Sequence, residues 1–119
     1  MIEKVGDPDL AVHAIWTPIL PSDRAVTAAA LRTLTDPRVR HWWDGDRYAQ
    51  EAFRPLLGLP AGKPAWDVYL VYPRAGRWPS KGPPAPTFHQ HQLRELPPEH
   101  LLDGRVLRRE IERRLGERR

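Results

Sequence analysis

The sequence contains no cysteine. Disulfide frameworks, thiolate zinc sites and cysteine nucleophiles are excluded together, because each needs a sulfur that is not there. Long apolar runs are also missing. Leu10 to Leu20 and Val68 to Tyr72 fall short of the roughly 20 residues a membrane span requires. The opening residues Met1 to Asp9 are mixed in charge and lack the basic, apolar, small-residue order of a secretory signal, so a cytoplasmic address is expected. There is no internal repeat, Gly-rich phosphate loop, serine nucleophile elbow or paired-carboxylate motif, and no cofactor is implied.

What remains is ordinary for a globular chain. Of 119 residues, 40% are hydrophobic and 29% charged, enough to bury one core, and a single domain over 1–119 is expected. The 14 prolines gather between periodic segments, most densely in a loop at 79–86, where they stiffen connections. With one methionine and 16 arginines against 3 lysines, the composition suits a thermophile.

The formal charge is +4, concentrated at the C-terminus. Residues 101–119 hold Arg105, Arg108, Arg109, Arg113, Arg114, Arg118 and Arg119 against Asp103, Glu110, Glu112 and Glu117. Arginine and glutamate interleaved along a basic helix at 103–117 read as its solvated face. A nucleic-acid partner is the alternative.

Leu10 to Trp16 alternates with both sides mostly apolar, the pattern of a buried central strand. Pro18 and Pro21 break it, and Ser22 caps a helix that stops at Asp36-Pro37. Residues 38–43 form a short strand with Val39, His41 and Trp43 on one face. Asp44-Gly45-Asp46 is a turn and cap for a second helix, which Pro55 kinks or ends and Gly58 closes. Residues 66–72 are the strongest strand signal, with Arg77-Trp78 or Phe88 to Leu93 as antiparallel partner. Asp103 caps the terminal helix, which buries Leu107, Ile111 and Leu115.

This order of elements, with Trp16 ending the first strand, resembles the later part of a thioredoxin-like domain over residues 10–117. The resemblance implies an α/β, thioredoxin-like three-layer domain with a central mixed sheet of about four strands and three helices. Leu20-Pro21-Ser22-Asp23 stands where that family carries Cys-x-x-Cys, so the implied module is non-redox. Pro64 is the nearest counterpart of the family's cis-proline. The family's initial strand and helix have no counterpart before residue 10.

A ligand site is expected at the carboxyl end of the first strand, from Trp16, Pro21, Ser22 and Asp23, with Lys63, Pro64 and Asp67 approaching from the loop before the third strand. A partner protein or small ligand would bind there. The rival is a cysteine-independent enzyme using Ser22 and Asp23 at the helix N-terminus with His13. Adjacent Trp42 and Trp43 point to opposite faces of a strand, so one of them is expected to meet a partner, and a homodimer through that strand is anticipated. His89-x-His91 has ligand spacing but wants a third donor, and no metal is assigned.

Overall fold

The computed structural model describes residues 4–17, 34–63, 65, 67–74, 78–79 and 82–117. The first strand, β1 (Val12–Trp16), lies parallel to β2 (Val39–Trp43), in a register that runs from Val12 opposite Val39 to Trp16 opposite Trp43. Leu10 is held out of β1 by a turn, its N–H reaching the Asp7 carbonyl at 3.3 Å. Val39 is buried and anchors the inner side of the pair.

β1 is not the buried central strand its apolar pattern suggests. Its exposure alternates, and Ala11, His13 and Ile15 are open to solvent. Among the described residues only β2 pairs with it.

Arg38, just before β2, ties distant segments together. Its guanidinium makes a two-pronged pair with Asp36, at 3.0 and 2.7 Å, and donates to the backbone carbonyls of Val5 and Asp7. The hydrogen bonds from Arg38 hold the Asp36 carboxyl down at about 2. Arg38 is thus engaged by a carboxylate and two carbonyls.

Helix α1 (Tyr48–Phe53) passes into a short 3₁₀ turn, Pro55–Leu57. Pro55 has no N–H to continue the α ladder, and Gly58 at φ 73° closes the turn with its N–H on the Pro55 carbonyl.

Strands β3 (Val68–Val71) and β4 (Phe88–His91) form an antiparallel hairpin, with Val68 opposite His91 and Val71 opposite Phe88. β3 begins two residues later than its composition suggests, because Asp67 adopts φ 52° and breaks the extended path. The Tyr72 hydroxyl donates to the Pro84 carbonyl at 2.8 Å and pins the proline loop to the hairpin. Trp78 packs on Tyr72 and meets Phe53 of α1 edge-on. Leu59, Ala65, Leu93 and Leu96 form a buried cluster, with Phe53, Leu57 and Val68 packed on it.

The terminal helix, α2 (Gly104–Glu117), starts from Asp103, whose Oδ1 accepts the Arg105 and Val106 amides at 3.0 and 3.3 Å. Leu107 is buried, and Ile111 and Leu115 are half-buried. Arg108 pairs with Glu112, and Arg113 and Arg114 both reach Glu110. The described residues therefore form an α/β chain with two small sheets and two α-helices. Among them no ladder joins one sheet to the other, and no helix is long and apolar enough to cross a membrane. The helix expected from Ser22 lies outside them.

Candidate functional site

Opposed residues of a β pair face the same side, so the β1–β2 register sorts its aromatic and imidazole groups into two sets. Trp16 and His41 share one side. Their rings stack at 5.9 Å and 13°, and the indole N–H donates to His41 Nδ1 at 2.9 Å. His41 Nε2 lies 3.1 Å from the Leu34 carbonyl. A carbonyl only accepts and an indole N–H only donates, so His41 is the neutral tautomer with its proton on Nε2.

The other side repeats the arrangement with the strands exchanged. Trp42 of β2 stacks on His13 of β1 at 6.1 Å and 27°, and its N–H donates to His13 Nδ1 at 3.1 Å. Trp42 is 52% exposed and Ile15, opposite it in register, 43%.

The carboxyl end of β1 is fastened to the start of α1. The Trp16 carbonyl accepts the Asp44 N–H at 2.8 Å, and Thr17 Oγ1 accepts from the buried Gln50 at 2.7 Å. The Asp44 carboxylate takes the Tyr48 and Ala49 amides at 3.0 and 2.7 Å, filling the N-terminus of α1. Gly45 gives the Trp43 indole room, since a Cβ there would stand 2.9 Å from its Nε1. Asp44→Ala leaves both amides without an acceptor and is expected to lower stability by about 1–2 kcal/mol. Urea titration reads this directly, and a loss inside experimental error would show that the cap is idle.

The residues singled out from sequence separate into groups. Trp16 lies at the fastened strand end, and Trp42 and Trp43 take opposite sides of β2 as expected. Lys63 faces Glu95 at 3.7 Å. Asp67 stands at the start of the hairpin, its carbonyl accepting the Gln92 N–H at 3.0 Å, and burial pushes its carboxyl up. The Tyr69 hydroxyl is also raised, first by burial and then by the Asp67 charge. Among the described residues no hydrogen bond or ion pair joins Lys63 or Asp67 to Trp16. Pro21, Ser22, Asp23 and Pro64 lie outside the described residues. Sequence reasoning missed His41, Thr17 and Gln50 at this end. A signal was present in His13-x-x-Trp16 and His41-Trp42, which a parallel register brings together as two diagonal pairs.

A second histidine cluster lies where β4 meets the 3₁₀ turn Pro98–His100. His91 is fully buried, with Nε2 2.8 Å from the Pro97 carbonyl and Nδ1 accepting the Leu93 N–H at 3.0 Å. Both its nitrogens are taken by protein. Among the described residues no group of three His, Asp or Glu side chains is arranged to hold a metal ion.

His89 stacks on His100 at 4.3 Å. Burial, then the His100 and His91 charges, lower the His89 value from its ordinary 6.5. A histidine lowered in the folded state takes up its proton more readily when unfolded. Its stabilising effect is therefore whole above about pH 6.5 and is lost as pH falls through the folded value. The urea midpoint should decline on acidification below this range, and less so in His100→Gln, which removes one facing charge. An equal decline in both proteins would refute the coupling.

Comparison of the chain with protein-family profiles, with curated proteins and with solved structures gives no match.

Proposed function

We propose that the chain is a non-redox binding module that takes a small ligand or a segment of a partner protein at the carboxyl end of β1, beside Trp16. The observation that carries this reading is the fixing of Trp16 from two directions, its ring by His41 and its carbonyl by Asp44. A large ring held in one orientation loses little freedom when a ligand packs on it. The ionisable groups there are engaged in structural bonds, His41 between an indole and a carbonyl and Asp44 on two amides, which favours binding over proton transfer.

The proposed ligand set adds Pro21, Ser22 and Asp23, which follow Trp16 in the chain, and Lys63, Pro64 and Asp67. The finer fold within this reading is thioredoxin-like. A parallel β1–β2 pair, an antiparallel β3–β4 hairpin and a closing helix, in that order, support it. Fold analogy of this kind carries no activity with it.

Chemical-shift mapping against a small-molecule library tests the proposal. Shifts should gather at Trp16, Thr17 and Asp23, and Asp23→Asn should change the affinity. Shifts confined to Arg105 and Arg109 of α2 would overturn it in favour of a nucleic-acid partner. Turnover abolished by Asp23→Ala would favour the enzyme.

A further inference from the structure

We infer that β2 is a self-pairing edge, and that two copies of this chain join through antiparallel Val39–Trp43 strands centred on His41. The backbone directs the contact. Within the β1–β2 ladder the Arg38 carbonyl receives the Val12 N–H at 3.1 Å, and the Asp44 N–H reaches the Trp16 carbonyl at 2.8 Å. Even-numbered residues of β2 thus turn their backbone toward β1 and odd-numbered ones turn it outward. The outward N–H and C=O of His41 have no partner among the described residues. A two-stranded sheet is marginal by itself, and a second copy extends this one to four strands.

The side chains decide which partner fits. With a twofold axis at His41, the two His41 residues exchange both backbone bonds and Arg40 falls opposite Trp42 of the second copy. Val39 then falls opposite Trp43, and the Val39 N–H stays on the Asp36 carbonyl that already accepts it at 3.0 Å, so the His41 pair carries the backbone contact. Arg40 and Trp42 lie on the exposed side of the sheet. Trp42 is already supported on its β1 flank by His13, and the guanidinium of the other copy would cover it from the opposite flank as a cation–π pair, formed twice.

Neighbouring registers are poorer. Centring on Arg40 sets two guanidinium groups against each other. Centring on Trp42 sets Arg40 against Asp44, whose carboxylate is committed to the Tyr48 and Ala49 amides. The sequence Val39-Arg40-His41-Trp42-Trp43 is complementary to itself when centred on His41, and this argues for a second copy of the chain as the occupant.

Light scattering on the full chain over a concentration series is the test. A monomer–dimer equilibrium is expected. Arg40→Glu and Trp42→Ala should each weaken it by roughly tenfold or more, and Arg40→Lys should largely retain it. Arg40 is exposed, so an unchanged urea midpoint for Arg40→Glu at low concentration separates lost pairing from lost folding. Hydrogen exchange at the His41 amide should slow as concentration rises. A monomer at every soluble concentration, or a dimer indifferent to both substitutions, would overturn the proposal.

Discussion

His91→Ala is expected to lower the unfolding free energy by about 3–5 kcal/mol, the largest effect of any single substitution considered for this chain. The ring is fully buried and bonded through both nitrogens, to the Pro97 carbonyl and the Leu93 N–H. Truncation strips a partner from the buried Leu93 N–H, at about 1–3 kcal/mol, and from the part-buried Pro97 carbonyl, and opens a cavity besides. The His91 backbone also bridges to Leu101 and accepts the Leu102 N–H at 2.8 Å, so slackening there reaches the approach to α2. Denaturant titration at pH 7.5 measures the loss. A change below about 1 kcal/mol would mean that the site re-forms its bonds with water.

Leu93→Ala should cost about 3 kcal/mol, the middle of the range for a buried leucine. Leu93 sits in the cluster with Leu59, Ala65 and Leu96, where three chain segments meet, and its N–H is the group that His91 accepts. The two effects are therefore coupled. In the double variant the combined loss should fall short of the sum, because the second substitution acts on a region the first has already loosened. Strict additivity would show that the hydrogen bond and the leucine packing are independent.

The parts of the fold that sequence reasoning reached are those fixed by neighbours in the chain. Pro55 ends the α ladder through its missing N–H, Gly58 supplies the positive φ just beyond, and Asp103 caps α2. Each follows from one residue and its immediate surroundings. The strand at 66–72 followed from composition, although Asp67 trimmed its start through a backbone angle that β-propensity does not encode, and of the two partners left open Phe88–His91 is the one that pairs.

Features set by distant pairing were out of reach. His91 read as one polar residue of a strand, and its burial depends on Pro97 folding back over it. The Trp–His pairs depend on the parallel offset of β1 against β2, and the spacing in His13-x-x-Trp16 and His41-Trp42 yields them only once that register is known. Of the expected ligand set, Trp16, Lys63 and Asp67 lie among the described residues, and Trp16 stands at the fastened end of β1. Lys63 and Asp67 were grouped with it by the rule that ligands gather at strand ends, and Lys63 faces Glu95 while the Asp67 carbonyl accepts the Gln92 N–H.

Arg38 constrains how the first described segment can vary between related chains. It grips this segment by the carbonyl oxygens of Val5 and Asp7, which every amino acid possesses. Position 5 is restricted in volume, since Val5 is buried, but Gly6 has open space where a Cβ would stand. The clasp therefore specifies a path more than a spelling. Substitutions around position 6 should accumulate freely while Arg38 and Asp36 change only as a pair. Lysine cannot stand in for the arginine, because an ammonium has no planar fork to span a carboxylate and two carbonyls together.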